Sequence, residues 1–384
     1  MKPRRWRIVS LLCAACLAGG AAAPLVGLCG PFTDVAADVF CPFVLEIFYL
    51  GITTGTTPTT YDPSSSVTRL QMAAFLSRTV DRSLQRTNGR AALNHFWTNR
   101  EVTALGMTTL GQIGQRMAAS DGSDVWVANT SSGSISRVRA GDGKLLETWT
   151  GASGAYGVRV AMGRIFASSA GGQTRLYQID PSQPAGAVTT VATNIGASSA
   201  GIAFDGARLW VASADGSVSI VTPTASLPWT VTTVTIGGNL IGALWDGASA
   251  WVTGSLNALR KLDPAGTILQ TVTVGTSPSI PVFDGTNIWV PNQNPSVSVV
   301  RASTGTVLAT LTGNGLIFGS AFQAAFDGER ILVTSSSGKL SLWKAADLSE
   351  IGSLDVAGTL PIGVCSDGLN FWIAMDGPHS LARF

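Results

Sequence analysis

One hairpin pattern recurs along this chain, and its period constrains the fold more than any other feature of the sequence. A turn dipeptide returns every 38 to 43 residues, reads Asp-Gly in six of its seven copies, and is followed each time by a short β-type run. Glycine accepts the positive φ of a tight hairpin turn, while aspartate bonds to its own backbone there. The seven dipeptides are Asp121-Gly122, Met162-Gly163, Asp205-Gly206, Asp246-Gly247, Asp284-Gly285, Asp327-Gly328 and Asp367-Gly368.

Each period also has room for a third and a fourth strand, such as "SVSIV" and "TILQTVTVG". Four short strands repeated at about 40 residues predict the blades of a β-propeller, here seven of them. In five blades the run after the turn contains a tryptophan, which we expect to fill the space between neighbouring sheets. These residues are Trp126, Trp210, Trp251, Trp289 and Trp372, with Phe166 and Leu332 at the same place in the other two blades.

The last blade reaches the end of the chain at Phe384 after only three strands, so its outer strand is missing. The segment "EVTALGMTTLGQ", before the first turn, is similar to the other fourth strands. We expect residues 102–110 to pair with the last strand, because joining the two ends of the ring leaves no sheet edge open. The sequence therefore predicts an all-β, seven-bladed propeller of four-stranded antiparallel blades over residues 101–384.

These blades resemble the YVTN-type and streptogramin-lyase-like propellers of bacterial surface and exported proteins. The resemblance implies the fold, and a fold by itself does not imply an activity. Lyases of this kind use a histidine and an acidic residue with a divalent metal near the central channel. Only His379, beside Asp376, falls in the propeller here. We therefore expect no enzyme activity, no catalytic residue, no metal and no cofactor; the alternative is a lyase-like enzyme.

The segment before the propeller has a different pattern, with two amphipathic helices predicted at residues 43–50 and 68–80. It contains "FTDV" at Phe32, "LGITTG" at Leu50, "YDP" at Tyr61 and "VTRLQMAAFLSR" at Val67. In order and spacing these motifs resemble the surface-layer homology (SLH) domain. We assign that domain to residues 30–82, a small α-helical unit in front of the propeller.

The resemblance implies that this domain binds cell-wall or envelope polysaccharide through the Thr-Arg pair at the start of its second helix, here Thr68 and Arg69. Arginine offers a two-pronged donor for a sugar carboxylate, and the helix N-terminus adds free N–H groups. The alternative for Arg69 is a solvated side chain or a stabilising salt bridge. The chain departs from the family pattern in carrying Gln71 where an acidic residue is usual, and in having one copy of the domain rather than three.

The first residues resemble a secretory signal peptide, with a basic start, an apolar run and then small residues. We expect a leader at 1–23, with an uncleaved membrane anchor as the alternative, and a polar linker at 83–100. Without the four basic residues of the leader, 21 basic residues face 23 acidic ones. This balance gives no reason to expect nucleic acid as a partner. The chain is thus expected to be exported to the cell envelope.

Three cysteines lie beyond the leader. Cys29 and Cys41 are close in sequence, and an exported chain can oxidise, so we expect a disulfide between them. Cys365 lies in an apolar run and is expected to be a buried free thiol.

A polar rim around the central channel is the remaining candidate site. It is formed by the loops between second and third strands and by the connections between blades, which share one face of a propeller. Such a concave rim is expected to bind a peptide, a glycan or a small molecule, or simply to be hydrated. The candidates are Asn129, Tyr156, Arg159, Asn239, Asn292, Gln293, Asn294 and Asp376.

These observations together predict an envelope protein whose SLH domain attaches it to polysaccharide and whose propeller is a non-catalytic binding or scaffold module. The alternatives are the lyase-like enzyme and a purely structural component of a surface layer.

Overall fold

Each repeat folds into one antiparallel sheet of four strands, and seven such sheets are present. The computed structural model describes residues 29–36, 40–49, 52–87, 107–317, 321–356 and 360–384. By internal contacts the chain divides into a unit at residues 1–82 and a unit at residues 83–384. The predicted seven-bladed propeller, preceded by a small helical region, is confirmed.

Blades 1 to 6 each consist of four strands that are consecutive in the chain and adjacent in the sheet. Blade 1 contains β2 (Gln115–Ser120), β3 (Asp124–Asn129), β4 (Ser134–Arg139) and β5 (Leu145–Thr150). Blade 2 contains β6 (Ala155–Ala161), β7 (Arg164–Ser169), β8 (Arg175–Ile179) and β9 (Thr189–Thr193). Blade 3 contains β10 (Ser199–Phe204), β11 (Leu209–Ser213), β12 (Ser217–Thr222) and β13 (Thr230–Thr235).

The second half of the ring repeats this arrangement. Blade 4 contains β14 (Leu240–Trp245), β15 (Ala250–Gly254), β16 (Ala258–Leu262) and β17 (Ile268–Thr273). Blade 5 contains β18 (Val282–Phe283), β19 (Asn287–Asn292), β20 (Ser296–Arg301) and β21 (Thr306–Thr312). Blade 6 contains β22 (Ala321–Phe326), β23 (Arg330–Ser335), β24 (Lys339–Lys344) and β25 (Glu350–Asp355). Blade 7 contains β26 (Pro361–Ser366), β27 (Phe371–Met375) and β28 (Ser380–Arg383), together with β1 (Met107–Thr109) from the start of the propeller.

The ring is closed by β1, which pairs antiparallel with β28. Met107 lies opposite Ala382, Thr108 opposite Leu381 and Thr109 opposite Ser380. This is the strand expected at residues 102–110, although it is shorter, and residues 102–106 lie outside the described part of the chain. The outermost edge of blade 7 is thereby paired with a strand from the other end of the propeller sequence.

The hydrophobic core is divided among the seven interfaces between neighbouring blades. At the interface of blades 3 and 4, for example, Trp210 of one sheet packs with Leu240 and Val252 of the next. At the closing interface, Trp372 of blade 7 packs with Val125 of blade 1. Every interface has such a cluster of buried apolar side chains. The repeat therefore buries its apolar faces only when the blades stack on one another.

The repeated aspartate and tryptophan are bonded to each other, in addition to the turn and packing roles expected from the sequence. In five blades the indole N–H donates to one carboxylate oxygen of the turn aspartate at 2.7–2.9 Å. The other oxygen accepts a backbone N–H three residues after the aspartate, at 2.6–2.8 Å. All five indoles are fully buried. The pairs are Asp121 with Trp126, Asp205 with Trp210, Asp246 with Trp251, Asp284 with Trp289, and Asp367 with Trp372.

The two blades that lack this tryptophan differ in the residue that begins the turn or in the partner of its carboxylate. In blade 2 the turn begins with Met162, so no carboxylate needs an indole partner. In blade 6 the carboxylate of Asp327 is instead bound by the Nε–H of Arg330 at 2.7 Å, and both residues are buried. Each of the five tryptophans is therefore bonded to a turn aspartate, whereas Asp327 shows that the aspartate also occurs without the tryptophan, with an arginine as its partner.

Glycine is required where the innermost strands of neighbouring blades approach each other. A Cβ at Gly157 would overlap the carbonyl oxygen of Ala200 in the next blade, and one at Gly363 would overlap that of Arg116. The register of both innermost strands shifts at these glycines.

The N-terminal unit contains two helices, α1 (Cys41–Tyr49) and α2 (Arg69–Thr87). Helix α1 agrees with the prediction to within two residues. Helix α2 continues past the expected domain end at residue 82, so residues 83–87 of the expected linker are helical. The rest of that linker and the predicted leader at 1–23 lie outside the described residues. Neither helix described here is long and apolar enough to cross a membrane.

Candidate functional site

A capping box forms the start of helix α2, where the polysaccharide site is expected. The backbone N–H of Gln71 donates to the hydroxyl of Thr68 at 3.2 Å, and the Gln71 side-chain oxygen accepts the backbone N–H of Thr68 at 2.8 Å. The Thr68 hydroxyl also donates to that side-chain oxygen at 3.0 Å. This reciprocal arrangement satisfies two N–H groups that a helix start leaves unpaired. The hydroxyl of Thr68, expected to contact glycan, is thus occupied by the helix.

Arg69 follows as the first residue of α2, and its side chain is exposed. Within the described part of the chain, its guanidinium takes part in no salt bridge or hydrogen bond. Of the predicted pair, Arg69 is therefore the member whose side chain can reach a ligand, and the salt-bridge alternative has no described partner.

Other motif residues hold this small domain together. Phe32 is fully buried, with its ring centroid 5.1 Å from Phe48 and 5.5 Å from Tyr61. The Asp34 carboxylate accepts the backbone N–H groups of Tyr61 and Asp62 at 2.7–3.1 Å, and the bond from Tyr61 is the main cause that lowers the pKa of Asp34. These contacts bring "FTDV" and "YDP" together in space.

A disulfide joins Cys29 to Cys41, as expected, with 5.5 Å between the Cα atoms. Cys29 is fully buried and packs with Phe32 in the same apolar cluster. The disulfide therefore ties the segment before "FTDV" to the start of α1. A loop of this length is worth about 3 kcal/mol to the free energy of unfolding.

Two of the predicted rim residues are buried instead. Asn129 and Asn292 end the second strands of blades 1 and 5, and neither side chain is reached by solvent. The Asn129 amide donates to Ser134 and Ser136 at 3.2 and 2.9 Å, and the Asn292 amide makes the corresponding bonds to Ser296 and Ser298. Both amides join the second strand to the third within one blade, so they belong to the scaffold.

Two further rim candidates are half-buried, and their side chains bond within the protein. Asn294 accepts the backbone N–H of Thr276 at 2.8 Å, which fixes a connection between blades. Asp376 forms an ion pair with Arg116 across the interface of blades 7 and 1, and both side chains are largely buried. Asn239 and Gln293 are exposed as predicted.

Tyr156 does not lie on an open rim but in an apolar cluster at the axis of the ring. Burial raises the pKa of its hydroxyl, and the charge of Arg116 opposes that shift. Side chains from six blades meet in this cluster, which is possible only across the central channel. Its members are Met117, Tyr156, Ala200, Ile241, Ile280 and Phe322.

On the side of the cluster toward the Asp-Gly turns, the channel contains a cavity of about 570 Å³. Arg159, predicted to be on the opposite rim, lines this cavity. It lies near the end of β6 that precedes the turn, which is why it belongs to this mouth. The cavity walls desolvate its guanidinium and so lower the pKa of Arg159, although the side chain is reached by solvent from the open mouth.

The prediction of the site from the sequence missed three aromatic residues that line this cavity. The last residue of the innermost strand is aromatic in four consecutive blades, and all four residues are half-buried. Those of blades 4 to 6 line the cavity. Each of the four packs one side against the core cluster of its blade. We call Trp245, Phe283 and Phe326 the aromatic arc; Phe204 of blade 3 does not line the cavity.

The remaining wall of the cavity is made of smaller side chains. Blades 7 and 1 contribute Ser366 and Ser120 at the position that is aromatic in blades 3 to 6. Cys365 also lines the cavity; it is a free thiol, as expected, and the residue as a whole is half-buried rather than buried. Burial is the main cause that raises the pKa of the Cys365 thiol well above its ordinary value, and the charge of Asp367 adds to it.

No group of three or more His, Cys, Asp or Glu side chains in the described ranges is placed to hold a metal ion. His379 is exposed in the turn after β27, with a left-handed backbone. Its expected acidic neighbour, Asp376, is bound to Arg116 instead.

Comparison with known families gives one match, to the S-layer homology domain, over residues 31–73. The matched residues contain "FTDV", "LGITTG", "YDP" and the first turn of α2, with the disulfide partner Cys29 just outside. An SLH domain implies attachment to the cell envelope, and such domains typically bind cell-wall polysaccharide. Comparison with curated proteins finds no match for this chain.

Proposed function

We propose that this chain is an exported envelope protein that is held to wall or envelope polysaccharide by its SLH domain and presents its propeller as a non-catalytic binding module. The observation that carries the proposal is the SLH match at residues 31–73, which includes the exposed Arg69 at the first turn of α2. The signal-peptide pattern at residues 1–23 supports export. The likeness of the blades to YVTN-type propellers of surface proteins supports the same location.

The proposed contact is between Arg69 and an acidic group of the polysaccharide. A guanidinium can bind a carboxylate or phosphate through two parallel hydrogen bonds. The N-terminus of α2 adds its partial positive charge, and the N–H groups of the first turn have no carbonyl partner within the helix. Thr68 and Gln71 serve this contact indirectly, because their capping box sets where the helix begins.

A non-catalytic propeller is supported by the arrangement of its polar side chains. The lyase-like alternative would use His379 with Asp376, and the carboxylate of Asp376 is engaged by Arg116 at the interface of blades 7 and 1. The aromatic arc and Arg159 have the chemistry of recognition: ring faces and a positive charge around a cavity.

The test is co-sedimentation of the full chain with washed cell-wall sacculi and with outer-envelope fractions. Arg69→Ala removes a charge-assisted contact worth about 1.5–3 kcal/mol, so we expect at least a tenfold loss in apparent affinity. Arg175→Ala is the matched control, since it removes an exposed arginine from the propeller. Gln71→Glu keeps the capping acceptor and is expected to pellet like the wild type. Equal pelleting of wild type and Arg69→Ala would overturn the anchoring contact.

A further inference from the structure

We propose that the cavity at the Asp-Gly mouth of the propeller binds a ligand in which a carboxylate is carried by a ring, with the carboxylate on Arg159 and the ring face on the aromatic arc. The inference rests on the proposed role of the propeller as a binding module and adds the site and the class of ligand. The occupant that the surroundings favour is an acidic sugar within a glycan.

The carboxylate of the ligand is assigned to Arg159 because of the charge of that side chain. No carboxylate of the described residues pairs with it, and desolvation by the cavity walls is the cause that lowers its pKa. The Arg159 side chain is exposed at the mouth of the cavity, so an incoming carboxylate can reach it and form a bidentate pair. Among the arginines described near the channel, Arg116 is already neutralised by Asp376.

The ring of the ligand is assigned to the aromatic arc because of where the residues of the arc lie. These three residues lie in blades 4 to 6, and Arg159 lies in blade 2 on the same cavity, two blades from Trp245. Aromatic faces bind the apolar face of a ring, and their hydrogen-bonding neighbours set its orientation. The serines of blades 7 and 1 leave room on the opposite wall. A ring lying on the arc can therefore direct a carboxylate toward blade 2.

The shape of the surroundings favours an extended ligand over a single ring. Phe326 lines the cavity and also a second groove of about 680 Å³ between blades 5 and 6. That groove carries Arg301 and Lys344 together with acidic and amide side chains, which can bond to hydroxyl and carboxylate groups. The apolar cluster on the axis blocks the channel at the inner end of the cavity. A glycan longer than one sugar would therefore extend from the cavity into the groove between blades 5 and 6.

The test is isothermal titration of the full chain with three probes: a galacturonic acid trimer, 2-naphthoate and maltotriose. We expect the acidic trimer to bind and the neutral trimer not to bind. Naphthoate distinguishes an aromatic acid from an acidic sugar as the source of the carboxylate. Binding of either acid supports the shared chemistry if it depends on Arg159. Failure of both acids to bind at millimolar concentration would overturn the inference.

Four variants make the test specific. Arg159→Gln should weaken acid binding about 10- to 100-fold, whereas Arg175→Gln, in the same blade but outside the cavity, should not. Trp245→Leu should weaken it about threefold to tenfold, whereas Trp229→Leu, another half-buried tryptophan, should not. Arg159→Gln binding like the wild type would overturn the inference.

The unfolding midpoint of each variant shows whether it has folded. A loss of acid binding with unchanged pelleting on sacculi would separate this site from the anchor. Loss of pelleting in Arg69→Ala with normal acid binding would show that the anchor can fail while the cavity site still binds. The failure of one proposal can therefore be told from the failure of the other.

Discussion

At the scale of single residues, the bond between the turn aspartate and the buried tryptophan joins local turn chemistry to the packing between blades. Replacing Trp251 by Phe retains most of the packing but leaves one oxygen of Asp246 without its indole donor. An acceptor left without a partner costs about 1–3 kcal/mol. We expect Trp251→Phe to lower the free energy of unfolding by about that amount, measured by urea denaturation.

A double-mutant cycle separates this bond from packing. Asp246→Ala removes the acceptor, so the double variant Trp251→Phe/Asp246→Ala should be less destabilised than the two single variants added together. Additive costs would show that the indole acts by packing alone.

A second residue-scale prediction concerns Cys365, the free thiol in the cavity wall. Its pKa is raised well above the ordinary value, so the reactive thiolate is depleted at neutral pH and increases only as the pH rises. We expect alkylation by iodoacetamide at pH 7 to be much slower in the native protein than in urea, and to accelerate with pH. Equal rates in both states at pH 7 would contradict this account.

At the scale of elements, the sequence allowed the blades to be counted but not the buried amides to be recognised. The Asp-Gly turns and the β-type runs after them are local signals, so strands and hairpins could be predicted from spacing. From the sequence, Asn129 and Asn292 are expected in the loops that form the rim. They are in fact the last residues of β3 and β19, where strand register directs the amide inward.

The aromatic arc corresponds to a pattern that is visible in the sequence, but the spacing of the repeats does not show what the pattern means. An aromatic residue stands directly before Asp-Gly in four consecutive copies, at Phe204, Trp245, Phe283 and Phe326. In a single hairpin this position is only the end of a strand. Closure of the ring brings the last three of these positions to one cavity, and closure is a property of contacts distant in sequence.

The start of α2 gives an element-scale prediction. Thr68→Ala removes the capping hydroxyl, which typically costs about 1 kcal/mol. Amide exchange in residues 69–73 should accelerate, because the N–H of Gln71 loses its acceptor. Thr79→Ala is a control within the same helix, where the hydroxyl bonds only to the carbonyl of Phe75. Equal exchange in the two variants would contradict the capping role.

At the scale of the whole molecule, the propeller depends on the short strand β1 to join its two ends. Leu110, just after β1, is buried in the cluster between blades 7 and 1, and its N–H bonds to the carbonyl of His379. Leu110→Ala should cost about 2–5 kcal/mol of the free energy of unfolding, as deletion of a buried leucine does.

The matched control for closure is Leu269→Ala, at an exposed leucine on the outer strand β17. Substitutions at such surface positions usually change stability by less than about 0.5 kcal/mol. If both variants unfold at the same urea concentration, the joint at β1 does not control the stability of the ring.

We propose that the N-terminal unit of this protein binds the envelope while the propeller binds a ligand, through separate sites. The direct measurement is sedimentation of the full chain with washed sacculi and a fluorescent galacturonic acid trimer. We predict that the wild type carries the trimer into the pellet. Arg159→Gln should pellet without the trimer, and Arg69→Ala should leave both in solution. Pelleting of Arg69→Ala at the wild-type level would contradict the account.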